Sequence, residues 1–305
     1  MQLQQTATQV LRGFLMGSAD IVPGVSGGTV ALVLGIYGRL VAAIRSVVAA
    51  MASLARADLP EAGRRLRAVP WVWLLALLGG VGAAILLLAA LLERLLEQHP
   101  EPMAGLFFGL IVGAVVISWR LVRRVTWSSL VLTGLVAAAF FLLLGLQEST
   151  HAEGTELATR PWWAFFLAGA VAICAMILPG ISGSFILLML GMYTEVLGAV
   201  DDRNLPVLLA FLAGAAVGLA SFSTLLSWLL EHYHDTVLAV LIGLMLGSLR
   251  ILWPWPDGLE STTLGLPDGG PVLLPLALAA VGLLAVLGVE AVGERRGVSA
   301  PPRRG

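Results

Sequence analysis

Apolar stretches at about 9–22, 25–50, 71–95, 103–119, 128–146, 162–178, 181–200, 206–230, 236–253 and 271–290 follow one another along this chain, each bounded by charges, proline or tryptophan. A crossing helix needs about 20 apolar residues, so several of these runs can span a bilayer. The period-two alternation of a membrane barrel strand is absent. The chain is therefore expected to be an all-α polytopic membrane protein. All nine tryptophans lie near ends of the stretches: Trp71, Trp73, Trp119, Trp127, Trp162, Trp163, Trp228, Trp253 and Trp255. An indole favours the membrane interface, where its ring is in hydrocarbon and its N–H is wet, so these residues mark depth.

Composition closes the alternatives. With 305 residues, 58% of them hydrophobic and 12% charged, and a mean hydropathy of +0.93, the chain has too little polar surface for a soluble domain of its length. A formal net charge of −1 gives no reason to expect a nucleic-acid partner. The single cysteine, Cys174, lies inside an apolar run, which excludes a disulfide framework and a Cys-based metal site. No cofactor is indicated. His232 and His234 could touch a metal, but two nearby histidines without a third ligand are weak evidence for a site. The start, MQLQQTATQVLRG, lacks the basic n-region of a signal peptide, so insertion by internal segments is expected.

All 18 basic residues are arginine, and their placement sets orientation. The 39–70 connection, the 120–126 loop and the tail at 291–305 are arginine-rich, whereas 147–161 and 254–270 are basic-poor. The positive-inside rule puts the first three in the cytoplasm and the last two outside, with both termini cytoplasmic. Counting crossings from each end leaves 162–200 leaving and returning on the outer face. It is a hairpin, doubly spanning or re-entrant, and we carry the re-entrant form forward. Residues 9–50 form the corresponding hairpin from the cytoplasmic face.

The two hairpins repeat in sequence. PGVSGGTVALVLGIY at 23–37 returns as PGISGSFILLMLGMY at 179–193, with Gly13 and Gly169 at the same offset. A second pairing aligns Gly80, Glu97, Gly109 and Gly113 with Gly214, Glu231, Gly243 and Gly247. The chain thus reads as one transmembrane domain of two copies, 9–146 and 162–290, each a hairpin plus three spans. Three is odd, so the copies are expected to be inverted. Inverted repeats with broken helices at their interface are a secondary-transporter signature.

Each PGxSG turn ends one helix and starts another within a few residues, because proline lacks an N–H and glycine tolerates any backbone angle. Free N–H groups at the new helix start carry partial positive charge, and hydroxyls beside them add donors. Gly24, Ser26, Gly27, Gly28 and Thr29 in the first turn, and Gly180, Ser182, Gly183 and Ser184 in the second, therefore make candidate phosphate sites. A packing kink is the bland alternative; two copies on same-side hairpins weigh against it. Two intramembrane charges lie near the first hairpin. Arg12 is a candidate partner for phosphate and Asp20 for a coupling proton or cation; the second copy has Ala168 and Met176 there. Snorkelling and turn capping are their alternative roles.

GFLMGSADIVPGVSGGTVALVLGIY at 13–37 and ILPGISGSFILLMLGMY at 177–193 resemble the polyprenyl-phosphate transporter (PopT) family, formerly a domain of unknown function. The resemblance covers essentially the whole chain in length and helix layout. It implies a non-enzymatic flippase of the bacterial cytoplasmic membrane, returning undecaprenyl phosphate to the inner leaflet for envelope glycan synthesis. The lack of charged counterparts to Arg12 and Asp20 argues against two symmetric sites. Integral-membrane undecaprenyl pyrophosphate phosphatases are similar, with hairpins bearing Pro-Gly-x-Ser turns, but their pattern adds Arg after the Ser and nearby Glu and His. Here Gly27 and Gly183 follow the serines and no His lies in a hairpin, so hydrolysis lacks its parts. A small-anion channel or carrier, with broken-helix starts aimed at the anion, is the third reading.

Overall fold

The structure is a computed structural model that describes residues 2–21, 26–145, 160–256, 258, 264–267 and 272–295. Every regular element among them is a helix. The first half comprises α1 (Gln2–Asp20), α2 (Gly27–Val33), α3 (Tyr37–Ala55), α4 (Leu59–Ala68), α5 (Trp71–Gln98), α6 (Pro100–Leu121) and α7 (Trp127–Gly145). The second comprises α8 (Trp162–Ile177), α9 (Gly183–Met189), α10 (Tyr193–Asp201), α11 (Leu205–His232), α12 (His234–Ser248) and α13 (Leu273–Arg295). Six helices are long and apolar enough to cross a bilayer: α3, α5, α6, α7, α11 and α13. The chain is an integral membrane protein.

The stretches 25–50 and 181–200, each continuous in hydropathy, are both broken. Gly35 (φ +67°) and Gly191 (φ +62°) end α2 and α9 in the left-handed region. After each, the next N–H reaches back to close the helix end, Ile36 to Ala31 O and Met192 to Leu187 O, both at 2.9 Å. That bond pattern satisfies carbonyls left open at a helix end, and glycine adopts the required angle without strain. Tyr37 and Tyr193 then begin the third helix of each hairpin.

Small residues set the helix pairing, as expected where packing rather than hydrophobicity drives association in lipid. A Cβ on Gly13 would overlap the Leu77 carbonyl, and one on Gly80 the Val10 carbonyl. In the second half Gly169 meets Phe211 and Gly214 meets Phe166 in the same way, at the offsets found in sequence. Gly109 and Gly113 of α6 lie against Ala279 and Val286 of α13; Gly243 and Gly247 of α12 lie against Thr133 and Phe140 of α7. The repeat offset is 156 residues for the hairpins and 134 for α5 and α6 against α11 and α12. The difference is filled by α4, a short polar helix that the second half lacks. Its Glu61 is paired with Arg64 and Arg65, whose hydrogen bonds hold that carboxyl below its usual range.

These contacts fix directions. In α1·α5, α8·α11, α7·α12 and α6·α13 the contacts advance together along both helices, so each pair runs parallel. We call lower the end of the bundle where α5 starts. Backbone N–H groups of Arg123 and Arg124, after α6, donate to the Asp235 carboxylate at the start of α12, both at 3.0 Å, while Gly258, after α12, lies against Pro100 at the start of α6. So α6 and α12 run in opposite directions. α3 is apolar enough to span but lies along the lower rim. Arg39 stacks over Trp73 at the start of α5, and Arg45 reaches Ser227 and Glu231 at the end of α11. Arg56, Arg64, Arg65, Arg67, Arg120, Arg123 and Arg124 belong to the same end.

Candidate functional site

The hairpin turns meet in the middle of the bundle. Ser26 Oγ donates to the Met176 carbonyl at 3.4 Å, Tyr37 Oη donates to the Ile177 carbonyl at 3.1 Å, and the Gly180 N–H donates to Thr29 Oγ1 at 3.1 Å. The last carbonyls of a helix have no intrahelical partner, so hydroxyls of the first half complete the end of α8. Gly28 is required at this junction, since a Cβ there would come within 2.9 Å of the Ile177 carbonyl. Gly180 (φ +84°) lies against Met245 of α12.

The donors at the start of α2 are all engaged. Asp20, the last residue of α1, accepts the Gly27 N–H at 2.5 Å on Oδ1; Ser26 Oγ accepts the Gly28 N–H at 3.1 Å; the Ser26 carbonyl accepts the Thr29 N–H at 2.8 Å. Ser26 and Thr29 are each 2% exposed. Gly24, and the Pro23 before it, lie outside the described residues. A carboxylate on such donors does what a bound anion would do, and a capping oxygen of this kind contributes about 1 kcal/mol.

The second turn differs at each of these points. Ser182 precedes α9 but accepts no N–H; its Oγ bonds Ser184 Oγ at 2.7 Å. The Gly183 and Ser184 N–H groups have no acceptor among the described residues. Ser182 is half-buried and Ser184 exposed. Met176 stands where Asp20 stands: a Cβ on Gly27 would strike the Asp20 carboxylate, and one on Gly183 would strike the Met176 side chain. A thioether cannot hold those donors as a carboxylate can.

Arg12 lies eight residues before Asp20 on the same helix, about 12 Å along its axis. Its guanidinium bonds Gln9 at 3.4 Å, on the stretch of α1 below the turn. The structure thus brings Asp20, Ser26, Gly27, Gly28 and Thr29 together with Gly180, and sets Ser182, Gly183 and Ser184 apart from them, Gly183 buried against Met176 and Ser184 exposed. Tyr37 was missed as a site residue. Its recurrence as Tyr193 was the available signal, but only the packing shows its hydroxyl on the partner turn. Among the described residues no three His, Cys, Asp or Glu side chains gather as a metal would need. The Ser26 hydroxyl is spent on Gly28 and Met176, with no histidine beside it, which is poor geometry for a nucleophile.

A family model described as undecaprenyl phosphate translocase-like (VCA0040-like) matches residues 16–265. A polyprenyl-phosphate transporter of Vibrio cholerae is 40% identical over 93% of this chain and 96% of its own length. A polyprenyl-phosphate transporter of Staphylococcus aureus is 32% identical over 80% of this chain and 85% of its own. No solved structure matches the chain.

Proposed function

The chain belongs to the undecaprenyl phosphate translocase-like (VCA0040-like) family and is a membrane transporter rather than an enzyme; from that premise we propose that it returns undecaprenyl phosphate from the outer to the cytoplasmic leaflet of the bacterial inner membrane. The lipid so recovered serves another round of envelope glycan synthesis. The observation that carries this reading is the junction of the two turns, where the Ser26, Thr29 and Tyr37 hydroxyls of one half meet Met176, Ile177 and Gly180 of the other. Irregular backbone is tolerated at membrane depth where it is buried or lines a cavity.

We read 9–146 and 162–290 as inverted repeats. The matching glycine contacts and the opposed directions of α6 and α12 support this. The lower end, which gathers the arginine-rich connections, is then cytoplasmic, with both termini there. Phosphate is held by the hydroxyls and N–H groups at Ser26, Gly27, Gly28 and Thr29 in one half and Gly180, Ser182, Gly183 and Ser184 in the other, with Gly24 in the first turn. Arg12 receives the head group on the cytoplasmic side. Asp20 couples the cycle: like charges repel, so a proton or cation on Asp20 and phosphate on the turns favour one another. Here Asp20 occupies the first turn, and at the second Ser184 is exposed.

The test is head-group accessibility of labelled undecaprenyl phosphate in proteoliposomes. Insertion is read from impermeant labelling of an Arg123→Cys variant in a Cys174→Ser chain. Protein-dependent flipping is expected, with Arg123→Cys shielded in the orientation found in cells. No flipping would sink the substrate assignment. Phosphate release from undecaprenyl pyrophosphate that vanishes in Ser26→Ala would place the chain with the phosphatases instead.

A further inference from the structure

Among the described residues, one arginine has a buried side-chain nitrogen with no hydrogen-bond partner: Arg250, at Nε, just past the end of α12. It takes part in no ion pair among those residues. Its guanidinium carbon lies 4.9 Å from the centroid of the Phe141 ring, a cation–π contact. It rests on Gly145, where a Cβ would come within 2.6 Å of that carbon. Glycine at 145 leaves the room that the planar cation occupies.

Arg160, at the same upper end, shows the contrast. Its Nη1 and Nη2 donate to the Leu190 and Gly191 carbonyls at 3.1 and 3.2 Å, and its Nε lies 3.0 Å from Glu195. That fork is spent on closing α9 and holding α10. Among the described residues the fork of Arg250 closes nothing, although a charged donor buried at Nε is costly to leave unpaired and is an expected mark of function within a membrane.

Its depth suits a lipid head group. Gly145 lies 18 residues beyond Trp127, about 27 Å along α7, against a hydrocarbon core of about 30 Å. With Trp127 at the lower interface, the guanidinium stands just inside the upper boundary. Outward, α7 exposes Leu142 and Leu143 to lipid. Inward, Leu144 and Ile251 pack with Ile181 at the second turn, and Gly180 touches Met245, five residues or about 8 Å below Arg250 along α12. The cation therefore stands between the upper leaflet and the end of the second turn marked by Gly180 and Ile181.

We infer that Arg250 receives the phosphate-monoester head group of the transported lipid from the upper leaflet, before the head group reaches the second turn; this rests on the transport reading above. A planar guanidinium matches two phosphate oxygens at once, which a compact ammonium does not.

The experiment uses full-length protein in nanodiscs and three probes: a polyprenyl monophosphate, the neutral polyprenol and inorganic phosphate. Arg250→Gln is expected to weaken polyprenyl phosphate binding about tenfold or more, the size of a lost charge-assisted contact, while Arg94→Gln, on an exposed arginine of the upper half, stays within about twofold. Binding by the unaltered protein with no loss in Arg250→Gln overturns the Arg250 assignment and leaves transport standing. No polyprenyl phosphate binding by the unaltered protein takes both down. Competition by inorganic phosphate as effective as by the lipid assigns Arg250 to free phosphate and overturns its lipid role. If Arg250→Gln does not fold, a photo-crosslinking residue at Phe141 in the otherwise native chain decides the matter: preferential capture of polyprenyl phosphate over polyprenol supports the site, and equal capture of both refutes it.

Discussion

The first hairpin binds its own helix-start donors with Asp20 and Ser26, buries Ser26 and Thr29, and rests its third helix on α11 through Arg45. In the second the Gly183 and Ser184 donors have no acceptor among the described residues, and α10 makes no comparable packing against α5. Phe165, Ala168, Ala172, Leu187 and Met192 form a separate cluster against α11, and Ala175 and Ile181 another with Phe140, Leu144 and Ile251, whereas the first hairpin is part of the main core with α6 and α12. The same backbone pattern thus exists in two settings within one chain. An inverted-repeat transporter exchanges such settings between its halves to move the opening from one face to the other. The difference is local chemistry as well as packing: a carboxylate at 20 and a thioether at 176.

The strongest equivalence between the halves is the helix pairing beneath the hairpins. Gly13→Leu and Gly169→Leu would each drive a side chain into a facing carbonyl, and each is expected to cost about 3 kcal/mol, read as lost thermal stability in detergent. One variant tolerated and the other not would mean that the two pairs are not equivalent.

A carboxylate placed in the second half should copy the closure of the first. Met176→Asp is expected to slow flipping about tenfold by occupying the Gly183 donor, the worth of one charge-assisted hydrogen bond. Asp20→Asn should retain lipid binding and lose pH dependence. Because phosphate is favoured beside a neutral Asp20, the unaltered protein should flip faster as pH falls, and the Asn variant should show a flat profile across the same series. Unchanged rates in Met176→Asp, or an unchanged profile in Asp20→Asn, would reduce Asp20 to a structural cap.

The smallest effect belongs to the lower latch. Arg45 and Glu231 are 44% and 60% exposed, so their pairing is worth no more than about 1 kcal/mol. Arg45→Gln should leave stability nearly unchanged and raise labelling of a Ser26→Cys probe from the lower face about threefold, in a Cys174→Ser chain. No change in labelling would show that α3 is held on α11 by apolar packing alone.

Much of the architecture is legible in one dimension. Hydropathy and tryptophan placement carry the all-helical, membrane-embedded class, although ten apolar stretches become thirteen helices among the described residues, and the repeated segments point to the matching glycine contacts of α1·α5 and α8·α11. Each follows from a constraint that acts residue by residue: apolar length against bilayer thickness, and proline and glycine against helix continuation. The breaks at Gly35 and Gly191 were readable in the repeated LGxY segments yet hidden by unbroken hydropathy, because a left-handed glycine ends a helix without any polar signal. The acceptors that meet the donors of the turns are another matter. That Asp20 folds back on Gly27, that Tyr37 reaches Ile177 some 140 residues away, and that Arg250 finds space over Gly145 all depend on distances between helices. Composition and periodicity name the groups that need partners. Which partner each one finds is set by the close approach that small residues allow between particular helices, and that exists only in the packed bundle.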